Sequence, residues 1–190
     1  MVKLLVIPGS ARRAAFSKQL AKAVASSAPE GASITVVDLA DYAMPIYDGD
    51  LEEAEGLPEG AIKLREVVKQ HDALLFVSPE YNSSIPALLK NTIDWLSRPY
   101  AAEPKVPVWP GKVAGLLSSS PGGLGGMRAL VHLRQILMNV GMQVVTEQFA
   151  LGTAHEAFAE DGSLKSDRHR AGVDKVVSSV VRMSTALAGR

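Results

Sequence analysis

Residues 72–97 read DALLFVSPEYNSSIPALLKNTIDWLS. The apolar run from Ala73 to Val77 has the composition of a strand buried on both faces. It stops at Ser78-Pro79. From Pro86 apolar residues return at helical intervals, with the proline in the first turn, where its missing N–H breaks no helical bond. The stretch therefore predicts a buried strand, a polar loop and a helix. A strand buried on both sides needs helices above and below it, and that is the demand of a parallel sheet.

The same unit recurs in both directions along the chain. KLLVIP (3–8) is a strand that stops at Gly9-Ser10, and SKQLAKAVASSA (17–28) follows with helical spacing. SITVVDL (33–39) is β-branched and predicts a second strand. The stretch 41–60, broken by Pro45, Asp48, Gly49, Gly56 and Pro58, predicts a long connection. GAIKLREVVKQH (60–71) is a helix leading into the strand at 72–78. KVAGLLSSS (112–120) predicts a fourth strand feeding PGGLGG; a helix at 127–140, a strand at 142–151 and a closing helix at 167–187 complete the pattern. Five strands alternating with helices predict one α/β domain over residues 1–190, a doubly wound parallel sheet whose ligands bind outside the carboxyl ends of the strands.

Composition limits the chemistry. The 190 residues carry 20 Lys plus Arg and 20 Asp plus Glu, so no global field recruits nucleic acid or an anionic membrane. Cysteine is absent, which excludes disulfides, thiolate metal sites and a cysteine nucleophile. The histidines at 71, 132, 155 and 169 are scattered, and HEAFA at 155 is not a zinc-binding helix motif, so no metal site is expected. No Gly-x-Ser-x-Gly elbow occurs around Ser118 to Ser120. The apolar run near the N-terminus is too short for a signal-peptide core, and the expectation is a soluble cytoplasmic protein.

Three polar loops follow the first, third and fourth strands: PGSARRAAFS (8–17), SPEYNSSIP (78–86) and SSSPGGLGG (118–126). All three should meet at one edge of the sheet. In the first, Gly9 permits a tight turn, Ser10 and Ser17 offer hydroxyls, and Arg12 offers a fork for phosphate oxygens beside a helix N-terminus. The alternative is a helix start capped by Ser17 with Arg12 and Arg13 in solvent. The loop is neither Gly-x-Gly-x-x-Gly nor a Walker loop. In the second loop, Glu80, Tyr81 and Asn82 combine backbone donors, a ring and an amide suited to the edge of a planar heterocycle. A turn before a helix accounts for Pro79, Asn82, Ser84 and Pro86, but not for an aromatic between an acid and an amide.

These three segments resemble the NADPH-dependent FMN reductase family, flavodoxin-like reductases that include quinone, chromate and azo-dye reducing members. PGSARRAAFS is similar to the family's Gly-Ser-x-Arg phosphate loop, PEYNSSIPALLKNTIDWLSRP to its flavin-contacting loop and helix, and SSSPGGLGGMRALVHLRQIL to its third loop and interface helix. The resemblance covers roughly residues 3–150. It implies a flavodoxin-like five-stranded sheet in the order 2-1-3-4-5. It also implies FMN as cofactor, NADPH or NADH as electron donor, and a quinone or other small oxidised acceptor reduced by ping-pong hydride transfer. Ser10, Arg12 and Ser17 would hold the FMN phosphate, and Pro79, Glu80, Tyr81 and Asn82 would line the isoalloxazine ring. Ser119, Ser120 and Gly122 would approach it from the third loop. Because the flavin carries the chemistry, no catalytic side chain is expected. Ala15 stands where family members often carry a phosphate-contacting serine, and Ser83 where relatives can carry a second aromatic.

Two rival readings share the fold: a flavodoxin-type electron carrier serving a protein partner, and a cofactor-free binding or scaffold protein. Balanced charge weighs against the first, since such carriers are commonly acidic. In the helix 127–140, Leu130, Leu133, Leu137 and Val140 lie near one face while Met127, Val131, Ile136 and Met138 spread apolar character around it. Family members pair through this helix and the one at 86–97, so a homodimer is expected, with a homotetramer as the alternative. In the connection 41–60, Tyr42, Met44, Ile46 and Tyr47 either line the acceptor pocket or plug the sheet edge, the plug being the preferred reading. Trp109, in the proline-rich loop 101–112, either packs on a neighbouring subunit or covers the flavin edge.

Overall fold

Alternate residues of the central strands feed two separate cores. In the computed structural model, which describes residues 1–26, 28–103 and 108–189, the strands are β1 (Val2–Pro8), β2 (Ala32–Val36), β3 (Ala73–Ser78), β4 (Val113–Ser119) and β5 (Gln143–Leu151). Leu5, Ile7, Leu74, Phe76, Ala114 and Leu116 point to one face. Leu4, Val6, Ala73, Leu75, Val77, Val113 and Leu117 point to the other. This is the two-residue period of a strand with no solvent side.

The helices are α1 (Phe16–Ser26), α2 (Gly49–Glu55), α3 (Glu59–Lys69), α4 (Ala87–Ser97), α5 (Met127–Asn139) and α6 (Asp167–Ala188). Residues of α3, α4 and α5 cover the first face. Those of α1 and α6 cover the second. The strands pair in parallel in the order β2-β1-β3-β4-β5, the flavodoxin-like order. On the second face α6 comes so close to β4 that a Cβ at Gly115 would lie 2.6 Å from both Leu75 and Val180. A side chain there would push the helix off the sheet.

The expected elements are present with shifted ends. The second strand stops at Val36 rather than Leu39, because the Asp38 carboxylate accepts from the Ala40 N–H and starts a 3₁₀ turn over Leu39–Asp41. The connection 41–60 contains a helix, α2, which sequence spacing did not reveal. Its signal is Asp48 at the N-cap, accepting from the Asp50 N–H at 2.8 Å, followed by Asp50 and Glu52 in the first turn.

The rest of that connection is stapled to α4. The Pro45 carbonyl accepts from both Asn91 Nδ2 and Trp95 Nε1 at 2.8 Å, and the Tyr47 N–H donates to Asn91 Oδ1 at 2.8 Å. Tyr42, Met44 and Tyr47 pack on the first core, in agreement with the plug. Ile46 departs from it and is 76% exposed. Trp109 meets neither expectation. It is buried in the same core beside Phe76 and donates to the Ile93 carbonyl of α4 at 3.4 Å. Residues 104–107 of its loop lie outside the described residues.

Replacing Asn91 with Ala removes a clamp that serves both an N–H and a carbonyl of the connection. The Tyr47 N–H then loses its partner, at an expected cost of about 1–3 kcal/mol. Urea unfolding midpoints of the two proteins check this, with faster proteolysis within 41–60 as the local signature.

Candidate functional site

Register places the three polar loops side by side. Ile7 pairs with Phe76 and Pro8 with Val77, while Ser78 pairs with Ser118. The loops after β1, β3 and β4 therefore leave the sheet at one level, and the Gly9 N–H donates to the Val77 carbonyl at 2.9 Å. Between them lies a cleft of about 280 Å³ lined by Ser10, Arg12, Ala15, Phe16, Ser17, Pro79, Glu80, Tyr81, Ser119, Ser120 and Pro121. Of the ten residues expected at a site, eight line this cleft. Asn82 and Gly122 do not: each sits one residue beyond a lining residue, Asn82 exposed in the turn of the second loop and Gly122 past Pro121.

The first loop ends at α1 with Ala15 in the capping position, its carbonyl accepting from the Lys18 and Gln19 N–H groups. Alanine offers no oxygen to the N–H groups of the first turn, and no side chain among the described residues caps them. Ser17 is not the cap. Its hydroxyl is buried inside the helix's first turn and has no hydrogen-bond partner among the described residues. The Ser119 hydroxyl, across the cleft, is buried and unpaired in the same way. Buried hydroxyls without partners are uncommon, and Ser17 and Ser119 both line this one cleft. Ser10 Oγ accepts from the Arg12 N–H at 3.3 Å, which leaves its own hydrogen to donate. The Arg12 guanidinium is exposed, and among the described residues its hydrogen bond goes to the Ala14 carbonyl, at 3.1 Å.

Lys18 fixes the loop from behind. Its ammonium donates to the Ala11 carbonyl at 3.1 Å and to Asp38 at 2.6 Å. Partial burial acts to raise the Asp38 carboxyl. It is outweighed by the hydrogen bond from Lys18, the Ala40 N–H and the Lys18 charge, and the group is held below the ordinary carboxylate range.

The second loop is a two-residue hairpin. Tyr81 and Ser84 exchange N–H···O=C bonds of 3.0 and 3.1 Å, and the central Asn82 and Ser83 have φ of 50° and 66°. Two left-handed residues in succession define a type I′ turn, which favours Asn first and Gly second. The turn leaves the Tyr81 ring 53% exposed at the mouth of the cleft. The Glu80 side chain, although its residue lines the cleft, turns toward α5. It accepts from the N–H groups of Arg128 and Ala129 at 3.1 and 3.3 Å and from Arg128 Nε at 2.8 Å. Sequence spacing could not reveal this partnership, which joins residues 48 positions apart.

The third loop packs through glycine. Gly125 and Gly126 have φ of 63° and 86°, and a Cβ on Gly125 would meet the backbone of Gly152 and Leu151 at 2.7 Å. The Ser118 hydroxyl donates to the Gly125 carbonyl at 2.8 Å, so it is spent on the loop and not available to a ligand. Ser120 Oγ accepts from the Gly122 N–H at 3.2 Å.

A doubly wound parallel sheet in this strand order, with a polar cleft at its carboxyl edge, defines a flavodoxin-like protein. Residues 2–156 match the model of the NADPH-dependent FMN reductase family, and the chain belongs to that family. It is similar to a quinone reductase of Pseudomonas putida, 38% identical over 160 residues that cover 84% of this chain and 82% of the relative. A 2-hydroxy-1,4-benzoquinone reductase of Burkholderia sp. is 40% identical over 135 residues, 71% of this chain and 69% of the relative. Among solved structures, FerB, a flavoenzyme NAD(P)H:(acceptor) oxidoreductase from Paracoccus denitrificans, superposes with a TM-score of 0.84 at 29% identity, covering 98% of each chain.

The Asp38–Lys18 pair gives a pH signature. Because the folded carboxyl is depressed, its contribution is complete above the ordinary value of 3.8 and is lost as pH falls through the folded value. Asp38→Asn is therefore less stable than the parent at neutral pH, and the gap closes on acidification. Urea midpoints measured along an acid titration check the sign. Ser17→Ala has the opposite character: the ligand-free chain loses only an unpaired hydroxyl and unfolds at the same or a higher denaturant midpoint.

Proposed function

We infer that this chain is an FMN-dependent NAD(P)H reductase whose acceptors are quinones or other small oxidised molecules. The observation that carries the reading is the pair of buried hydroxyls, Ser17 and Ser119, without partners among the described residues, in two residues that line one cleft at the start of α1. FMN has what both ends of the cleft lack: a phosphate for the α1 N–H groups, and a flat ring edge with donors and acceptors for the other two loops. The donor set fits it.

Ser10, Arg12 and Ser17 would hold the phosphate, two hydroxyls and a guanidinium around a helix N-terminus. Pro79, Glu80, Tyr81 and Asn82 would border the ring on one side, and Ser119, Ser120 and Gly122 on the other. When bound, FMN supplies two-electron transfer between the pyridine nucleotide and the acceptor. The chain's own part is to orient and to tune. The left-handed turn at Asn82 and Ser83 would bring backbone N–H groups rather than side-chain charge to the ring edge. The Tyr81 ring, open at the mouth, offers a surface on which a flat acceptor can stack. With zero formal net charge the protein does not steer substrates by sign, which suits neutral quinones and weighs against a carrier docking on a charged protein partner.

The proposal extends to assembly and setting. Leu124, Met127, Val131 and Met138 are exposed on and beside α5, an apolar surface suited to a second copy of the chain. We take the unit as a homodimer, the homotetramer being its doubling. NADPH and NADH are held in the cytoplasm, and the reaction is placed there. No helix among the described residues is long and apolar enough to cross a membrane.

Purified protein mixed with FMN is expected to turn yellow, to bleach under anaerobic NADPH or NADH, and to regain colour with a quinone. A chain that stays colourless after FMN is added would falsify the reading. Arg12→Ala is expected to weaken FMN binding about tenfold through loss of one charge-assisted contact. Sedimentation at micromolar protein tests the dimer, with a monomer mass counting against it.

A further inference from the structure

Glu80 borders the cleft, yet its carboxylate is directed at α5, and its side chain is only 8% exposed. The helix has no cap of its own. Gly126 occupies that position at φ 86°, and a Cβ there would crowd Ser118 at 3.1 Å. Glu80 supplies the missing oxygens from another loop, accepting from the second and third N–H groups of the helix and from the Arg128 guanidinium. One turn further along α5, His132 Nδ1 lies 2.9 Å from Ser84 Oγ. Residues 128 and 132, on one face of the helix, thus grip residues 80 and 84, which bracket the hairpin.

The hairpin needs this grip. Its second left-handed position is Ser83, where a type I′ turn prefers glycine, and a non-glycine residue in that region carries a cost. Local sequence alone does not hold the loop in this left-handed conformation beside the cleft. We propose that Glu80 is a positioning residue: its carboxylate latches the hairpin to the N-terminus of α5, and this latch sets FMN affinity without the carboxylate touching the flavin. The inference rests on the flavin reading above and assigns a role within it.

The latch makes Glu80 differ from a residue that merely stabilises the fold. Glu80→Ala is expected to weaken FMN binding about tenfold, the order of one lost charge-assisted hydrogen-bond set. Glu80→Gln keeps an oxygen for the two helix N–H groups and recovers most of that affinity. Adding Ser83→Gly to Glu80→Ala recovers part of it, because glycine holds its φ without the latch. His132→Ala, at an exposed position that the fold tolerates, weakens binding about twofold to threefold by cutting the second tie.

The measurement is quenching of flavin fluorescence on titration with FMN, paired with thermal unfolding of each ligand-free chain. Affinity that falls in Glu80→Ala and returns with Gln or with Ser83→Gly supports the latch. Parent-like affinity in Glu80→Ala, with only its melting temperature lowered, overturns it, as does a loss that neither second change recovers. If Glu80→Ala does not fold, His132→Ala and Glu80→Gln decide: parent-like affinity in His132→Ala, or a Glu80→Gln loss as large as tenfold, overturns the latch. A parent chain that takes no FMN overturns the flavin reading along with it.

Discussion

Every residue of β3 from Ala73 to Ser78 is buried, so this strand can exist only between two helical layers. Water reaches none of it, and a polar group placed along it would need a partner in the core. The chain therefore carries its polar groups past the end of the strand, and register does the rest. Because Ser78 stands opposite Ser118 and Pro8 opposite Val77, the loops that leave these strands converge without any loop having to reach far. The same arrangement explains why the functional groups are loop residues on a rigid base: the strands fix where the loops begin to within a residue.

Three helices, α1, α4 and α5, begin at this edge without a side-chain cap from their own first residue, and the protein treats α1 and α5 differently. At α5, where Gly126 occupies the cap, Glu80 crosses from the neighbouring loop and satisfies the N–H groups. At α1, where Ala15 occupies the cap, nothing comparable arrives among the described residues, and the nearby Ser17 hydroxyl has no partner among them either. The contrast matters more than either fact alone. It shows that a carboxylate from a neighbouring loop serves α5, while none among the described residues serves α1. With a formal net charge of zero, such local arrangements of N–H dipoles and single side chains are the means by which the chain distinguishes an anion from its surroundings.

What could be read from sequence was whatever depends on near neighbours. The strands at 73–78 and 113–119 are continuous apolar runs, and a run of that kind has one solution in a chain that alternates it with helices. The three loops stood out because Gly, Ser and Pro gathered at one end of the strands only. What escaped depends on partners distant in the chain. Trp109 looked like a residue awaiting a subunit or a ligand until α4 provided the Ile93 carbonyl and the core provided Phe76. The Glu80 carboxylate looked like a group facing a ligand until α5, 48 residues on, took it. The helix α2 was hidden for a different reason: its seven residues are too few for periodicity, and only Asp48 and the acidic first turn betray it.

The missing cap at Ala15 also bears on the survival of the molecule. A ligand that fills the gap binds only the folded chain, and at a hundred times its dissociation constant it adds about 2.7 kcal/mol to stability. A domain of this kind has in total only about 5–15 kcal/mol. The ligand is then a structural part as much as a reagent, and the chain without it spends more time open to proteases. Occupancy of the site would thereby tie the persistence of the folded chain to the supply of what it binds.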